Sequence, residues 1–317
     1  MSADGEDPRL LLLASLDLPS CRVEFSDTPI VLLCGGKVNF KTSANDPDPP
    51  QASLRHAITN FHTAFEIFRP EEIPSWHHDA VFKDLMSFEL ELASICSLVV
   101  IILESEGALV ELGAFSQLPE LSEKIVAICP NQFINAASFI NFGILRFISQ
   151  KNSTNVKSYP WEPTKPADIS QEVVGDVATD IQQELDKLPQ SQVLKVDRSS
   201  HVMVLICELL RLFTALKEHE IREYLELFGV KITRETLRGK LFLLQSFRLV
   251  KVQNYSDAFF FMRGKENYHR LRLSPKEKDK PIDILRFETQ CLEYYKNSTK
   301  QRNRNRAISQ AAKEASE

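Results

Sequence analysis

The stretch Glu104-Ser105-Glu106-Gly107-Ala108-Leu109-Val110-Glu111-Leu112-Gly113-Ala114-Phe115 follows directly on the apolar run Leu98 to Leu103. A strand that opens through a loop into a helix is where open α/β sheets bind their ligands. On this spacing Glu111 is expected in the first turn of the helix, where the dipole and free N–H groups keep a carboxylate ionised as a nucleophile or as counter-charge to a cationic intermediate. Gly107 and Gly113 leave room for a ligand or a neighbouring backbone. Glu89 supplies a second acid: it lies seven residues after Phe82, four after Leu85 and three before Leu92, on the apolar stripe of its helix. A carboxyl on a buried face is either a proton-handling group with a raised pKa or a structural group bonded to a loop. Two carboxyls around one pocket suit glycosidic cleavage, in which one stabilises or attacks the anomeric carbon and the other moves a proton. Gly35-Gly36, after the run Ile30 to Cys34, offers backbone N–H groups to a phosphate or ribose. Its spacing is not G-x-G-x-x-G, which disfavours a dinucleotide dehydrogenase.

Other chemistries find less support. Trp76-His77-His78-Asp79 pairs adjacent histidines that point in different directions with no distant ligand set, so helix capping by Asp79 is the better reading and no metal is expected. The six cysteines are scattered among apolar neighbours without a C-x-x-C pair, as reduced packing residues are. No serine sits in a G-x-S-x-G elbow.

The elements that must position these acids follow from hydrophobic periodicity. Ile30 to Cys34, Glu66 to Phe68, Leu98 to Leu103 and Lys124 to Cys129 read as strands, and helical patterns run over about Ser53 to Phe65, Asp79 to Ile95 and from Ala108. Their alternation predicts an α/β domain over residues 1–150, a parallel sheet with helices on both faces. Residues 151–200, with Pro160, Pro163 and Pro166 and a helix over roughly Ile169 to Leu188, are expected to be a linker and bridging helix. Over 201–275 three helical patterns precede two extended runs, Arg248 to Val252 and Phe259 to Met262, the order of a winged helix-turn-helix. Residues 276–317 read as a basic helix or mobile tail.

Charge divides the same way. The net charge is -5, but residues 1–200 hold 15 basic and 28 acidic side chains and the remainder hold 23 and 15. An acidic front and a basic back point to different partners, nucleic acid being the candidate for the back. Leu237, Leu241 and Leu244 mark the buried face of the third helix, which leaves Arg234, Arg238 and Lys240, with Lys231 just ahead, to meet phosphates. Lys251 and Arg263 fall on the wing, and Arg302, Arg304 and Arg306 are spaced along the tail for counterion-release binding. Phe259, Phe260 and Phe261 could stack bases, although strand alternation turns at least one to the core. No run approaches the roughly 18–20 apolar residues of a membrane helix. The N-terminus is acidic rather than basic, so no membrane and a cytoplasmic location are expected.

Ser105-x-Gly107-x-x-x-Glu111-Leu112-Gly113-Ala114-Phe115 after an apolar strand resembles the signature of nucleoside 2-deoxyribosyltransferases. Together with Leu32-Leu33-Cys34-Gly35-Gly36 and Ser138-Phe139-Ile140-Asn141-Phe142-Gly143, it is similar to retron-associated effectors that join such a domain to a C-terminal winged helix. The resemblance implies that Glu111 is the catalytic carboxylate at the sugar C1′, and that Ser105, Gly107, Asn141, Glu106, Gly35 and Gly36 line the nucleotide pocket. Glu89 or Glu106 would then be the acidic base. It further implies cleavage of an N-glycosidic bond with NAD+ as substrate rather than cofactor. The partners implied are a retron reverse transcriptase and its RNA-DNA product (msDNA), with the chain an oligomer within that complex. The alternative from another class is a winged-helix transcription regulator whose α/β half senses a nucleotide without catalysis.

Overall fold

The computed structural model describes residues 7–314 apart from 27–28, 42, 44–45, 74–80, 267, 278 and 280. The Trp76-His77-His78-Asp79 run lies outside the described residues. From the N-terminus the chain forms α1 (Pro8–Ser15), β1 (Arg22–Glu24), β2 (Ile30–Cys34), α2 (Leu54–Thr59), β3 (Glu66–Phe68), α3 (Leu85–Ile95), β4 (Leu98–Ile102), α4 (Glu106–Ser116), α5 (Pro119–Ser122), β5 (Ile125–Pro130) and α6 (Asn131–Ile134). A π-helical segment, Ile140–Leu145, leads into α7 (Arg146–Lys151), β6 (Val156–Tyr159) and α8 (Gln171–Asp186). There follow β7 (Ser191–Val193), α9 (Ser199–Phe213), β8 (Ala215–Leu216), α10 (Glu218–Leu227), α11 (Arg234–Ser246), β9 (Val250–Tyr255), β10 (Ala258–Arg263), β11 (Arg270–Arg272), α12 (Ile284–Asn297) and α13 (Arg302–Glu314).

Two compact units result, and neither is a continuous piece of chain. One comprises Asp27–His78 and Lys83–Leu188; the other comprises Met1–Ser26, Asp79–Phe82 and Pro189–Glu317. The first is the α/β unit, with a five-stranded parallel sheet in the order β3-β2-β4-β5-β6. Every residue of β2, β4 and β5 is buried, as an all-parallel sheet covered on both faces requires. One face of those strands presents Val31, Leu33, Val100, Ile102, Val126 and Ile128 to Val173, Val174, Val177, Ile181 and Leu185 of α8 and to Leu54 and Ile58 of α2. Burial of each such side chain is worth about 1.5–3 kcal/mol. On the other face α4 packs on β4 and β5. The expected linker therefore contributes the fifth strand and a core helix of this unit. Polar Lys157 and Ser158 hide β6 from a hydrophobicity reading, as an edge strand can.

In the second unit α9, β8, α10 and α11 precede the β9–β10 hairpin, and β8, β10 and β9 form an antiparallel sheet in the order β8-β10-β9. Leu237, Leu241 and Leu244 of α11 are buried, and so is Phe260, while Phe259 on the opposite strand face is 59% exposed. β1 of the N-terminal segment pairs with β7 and β11. α1 and β1 thus belong with the basic half, not with the acidic half that follows them. Among the described residues no helix is long and apolar enough to cross a membrane.

Candidate active site

The strand order reverses direction at β2: the chain leaves it through α2 to β3 on one side, and β4 lies on the other. The crevice at the carboxyl ends of β2 and β4 is the ligand position of such a sheet, and the chemically interesting side chains converge there. Cys34 ends β2, Arg55 lies on α2, Glu89 on α3 and Glu111 on α4.

Glu104, two residues after the end of β4, organises the crevice. Its carboxylate accepts from Gly36 N (3.0 Å), Leu54 N (2.8 Å) and Arg55 N (2.9 Å), and so holds the loop after β2 against the start of α2. Burial pushes its pKa up and these three donors pull it back. The Gly36 N–H is therefore directed to Glu104 in this structure. The two glycines are required by packing instead: a Cβ on Gly36 would stand 2.8 Å from the Ser53 Cβ, and one on Gly35 3.1 Å from the Arg55 Cβ. Ser105 caps α4 by accepting from Ala108 N (3.2 Å), and its hydroxyl donates to Gly35 O (3.0 Å). Gly107 and Glu106 sit exposed in the first turn of α4. Asn141 braces its own loop, its side-chain amide donating to Phe133 O (2.5 Å) and Ala136 O (2.7 Å).

Glu111 is the sixth residue of α4, beyond the first turn where the sequence placed it. The N–H groups that would have favoured its charge are used by α4 itself, and burial pushes its pKa up. The Cys34 thiol opposes the rise by donating to the carboxylate, as does the nearby Arg55 guanidinium. Burial drives the Cys34 pKa well above its usual value, so the thiol stays a donor. Glu111 Oε2 is buried and finds no hydrogen-bond partner among the described residues. A buried acceptor left unsatisfied costs about 1–3 kcal/mol, which a ligand hydroxyl or a developing positive charge would recover.

Glu89 lies within electrostatic reach of Glu111. Burial first, then the charges of Glu111 and Glu71, push its pKa up to about 7, with Arg55 opposing. At neutral pH it can give or take a proton, the property a general acid or base needs. Because its folded pKa stands above the unfolded value, the stability this proton supplies is present in acid and lost as pH rises from about 4.3 to about 7. Thermal unfolding of the wild-type chain is expected to move to lower temperature across that interval. Glu89→Gln should flatten the dependence, which scanning calorimetry at pH 5 and pH 8 reads directly.

Arg55 and Glu71 were not anticipated. The Arg55 side chain is 4% exposed; Nε donates to Leu33 O (2.8 Å), Nη1 reaches Gly36 O (3.4 Å), and Nη1 and Nη2 form a bidentate pair with Glu71, each at 2.8 Å. Burial works against the Glu71 charge, but the guanidinium holds its pKa below the usual range. The Arg55 guanidinium thus acts on three acids, Glu71, Glu89 and Glu111, with Arg69 adding to its effect on Glu71.

The basic residues of the other unit fare unequally. Arg234 and Arg238 both pair with Glu218, at 2.6 and 3.0 Å. Lys240 is 4% exposed and bonds the Ser199 hydroxyl. Lys231, Arg263 and Arg302 are exposed, Lys251 is half-buried, and Arg306 donates to the Tyr255 hydroxyl (3.0 Å). Arg304 is 3% exposed in α13, where it bonds Glu220. The tail is an ordered helix with Arg304, Ala307 and Ala311 inward, and Arg304 is a packing residue of the fold in this structure.

Comparison with known proteins bears on this arrangement. The Escherichia coli protein of retron Ec86, which carries a provisional ribosyltransferase/DNA-binding name, is 33% identical over 138 residues, 40% of this chain and 39% of its own length. The corresponding Escherichia coli protein of retron Ec73, named in the same way, is 31% identical over 123 residues, 38% of each chain. The chain thus spans about two fifths of the length of these relatives. The family model described as STM3845 retron effector protein matches residues 51–252, a segment that contains Arg55, Glu71, Glu89, Glu104 and Glu111 together with α9 to α11. The match covers more than half of the chain, which belongs to the STM3845 retron effector family.

Proposed function

We propose that this retron effector acts in anti-phage defence by cleaving the N-glycosidic bond of a nucleotide, with NAD+ as the substrate. The observation that carries this reading is Glu111, whose buried Oε2 lacks a partner among the described residues, beside Glu89 with a pKa near neutrality at the switch point of the sheet. The nicotinamide of NAD+ is already cationic. The C1′–N bond breaks with its electron pair going to the ring nitrogen, and nicotinamide departs neutral. Glu111 stabilises the oxocarbenium-like centre or traps it. Water then bonds to C1′, the Glu111–C1′ bond breaking back to the carboxylate where the centre was trapped, and gives up a proton, which Glu89 accepts when ionised. The products are ADP-ribose, nicotinamide and a proton. Ser105, Gly107 and the loop around Asn141 border the substrate, and Glu106 stands at the rim.

The basic unit is proposed as a winged helix, α11 being its recognition-like helix and the β9–β10 hairpin its wing. It docks the chain onto a retron reverse transcriptase and its RNA-DNA product, in the cytoplasm and as an oligomer, and that complex restrains the enzyme. The DNA-binding names of the relatives support this half of the reading. Lys251, Arg263, Arg302 and Arg306 are the cations proposed to meet phosphates across that surface.

Incubation of the purified chain with NAD+ is expected to release nicotinamide, and addition of the reverse transcriptase with its RNA-DNA should suppress the release. If NAD+ and a panel of other nucleotides all remain intact without the reverse transcriptase, the glycosidase reading is wrong.

A further inference from the structure

The β9–β10 hairpin divides its three consecutive phenylalanines between two faces. Phe260 turns inward, 1% exposed, in a cluster with Ala215, Met262, Ala307 and Ala311, and the Arg304 and Lys217 cations lie over its ring. Strand alternation puts Phe259 and Phe261 together on the opposite face. There Asn254 stands across from Phe259, and Val252 across from Phe261. Phe259 is 59% and Val252 37% exposed, Asn254 is exposed and Phe261 half-buried. Neither outward ring has an aromatic or cationic partner among the described residues.

The sheet holds these rings in place. The two-residue turn Ser256-Asp257, with Ser256 at φ +59, joins Tyr255 to its partner Ala258 and fixes the register of the six pairs. On the other side of β10, Leu216 of β8 pairs with Phe261. Charge indicates what such a face meets. Val252, Asn254, Phe259 and Phe261 bring no carboxylate to it, and Asp257, in the turn, is the one acid in residues 248–265. Arg248 and Lys265 stand at the open end of the hairpin, where Gly264 N donates to Leu249 O (2.8 Å), and Lys251 lies in β9. None of these three cations forms an ion pair among the described residues. Flat apolar rings beside unpaired cations suit a polyanion that can offer the faces of its bases. A duplex cannot, because its bases stay stacked at about 3.4 Å and show only their edges in the grooves. Rings two residues apart on a strand, about 7 Å, each accept a base only from a strand whose neighbouring bases have separated.

We propose that the outward face of the β9–β10 hairpin binds single-stranded nucleic acid, one unpaired base stacking on Phe259 and the next on Phe261, while Arg248, Lys251 and Lys265 meet the phosphates. The face deepens the nucleic-acid half of the proposed function and rests on it: the hairpin reads unpaired bases rather than a duplex groove. It does not depend on glycosidic cleavage.

Binding to the full chain is measured by fluorescence anisotropy with three labelled probes: a thymidine dodecanucleotide, a base-free deoxyribose-phosphate strand of equal length and charge, and a duplex of the same length. The thymidine strand should bind about tenfold or more tightly than the base-free strand. Phe259→Ala, at an exposed position, should weaken the thymidine strand by about fivefold or more and leave the base-free strand, the duplex and the unfolding temperature unchanged. Phe261→Ala should act in the same direction, and Phe259→Trp should retain the wild-type affinity. Lys265→Glu should weaken the thymidine and base-free strands alike, as loss of a phosphate contact does. If no probe binds, the nucleic-acid half of the proposed function falls and the stacking face with it. Binding that ignores both the bases and Phe259→Ala overturns the stacking face alone. A Phe259→Ala chain that keeps its affinity for the thymidine strand but no longer associates with the reverse transcriptase makes this a protein surface, which overturns it equally.

Discussion

Glu111→Gln is expected to slow base release from NAD+ by about 10³-fold or more, some 4 kcal/mol of transition-state stabilisation, while the fold is retained. The amide keeps the volume of the carboxylate and still offers Cys34 an acceptor, so the α4 packing has no reason to change. What disappears is the negative charge proposed to meet the cationic sugar, and in a buried site such a charge acts through a low dielectric where it counts most. Burial also raises the cost of the charge in the resting enzyme. The substitution should therefore leave the unfolding temperature equal or higher at pH 8, and loss of rate with retained stability separates a catalytic role from a structural one. The contrasting variant is Cys34→Ser, which preserves a donor to the carboxylate and should cost far less. Nicotinamide release by chromatography and unfolding by calorimetry on the same preparations decide the matter. A Glu111→Gln enzyme that keeps more than a tenth of the wild-type rate removes Glu111 from the chemistry.

The legibility of this site varied with the range of the interactions. Glu111 and Glu89 stood out because one follows a buried strand and the other interrupts an apolar stripe, both local signals. The sequence also placed β2, β3, β4 and β5 to within a residue or two at each end, since runs such as Ile30–Cys34 and Ile125–Pro130 are apolar throughout. Arg55 and Glu71 gave no such signal: they lie 16 residues apart in different elements, and only the loop after β2 brings the guanidinium to Leu33 O and the carboxylate. Glu104 was passed over although it stands two residues after the end of β4, where a carboxylate can collect backbone donors. The fifth strand was missed for a related reason. Lys157 and Ser158 carry no apolar alternation, and their pairing with Ile128 and Cys129 is a non-local event. Charge counting divided the chain by sequence, but it could not see that α1 and β1 fold with the basic half, because that depends on pairing across some 250 residues such as Val23 with Leu271.

Glu220→Gln is expected to destabilise the basic unit by about 3–5 kcal/mol and lower its unfolding temperature by roughly 10 °C. Glu220 Oε1 accepts from Arg9 Nη1 (2.8 Å) and from Arg304 Nη2, and Oε2 accepts from Lys217 N (2.8 Å). Both arginines are nearly fully buried, 4% and 3% exposed; Arg9 shares its charge between Glu220 and Asp7, the latter at 2.6 Å, while Glu220 is the carboxylate that compensates Arg304. Aromatic faces carry part of the load: the Arg304 guanidinium lies 4.9 Å from the Tyr295 ring centre and 5.8 Å from that of Phe260. Burial opposes the Glu220 charge, but Arg304 and Arg9 prevail and hold its pKa below the usual carboxylate range. The stability it contributes is therefore complete above the unfolded value of about 4.3 and is lost as pH falls through the folded one. In Glu220→Gln that acid-limb dependence should shrink along with the stability. Adding Arg304→Met removes the stranded charge and should restore part of the loss, whereas Arg304→Met alone leaves Arg9 with both Glu220 and Asp7 and should cost less than Glu220→Gln. A change below about 1 kcal/mol for Glu220→Gln would mean that water reaches these groups and that the buried network does not hold α13 in place.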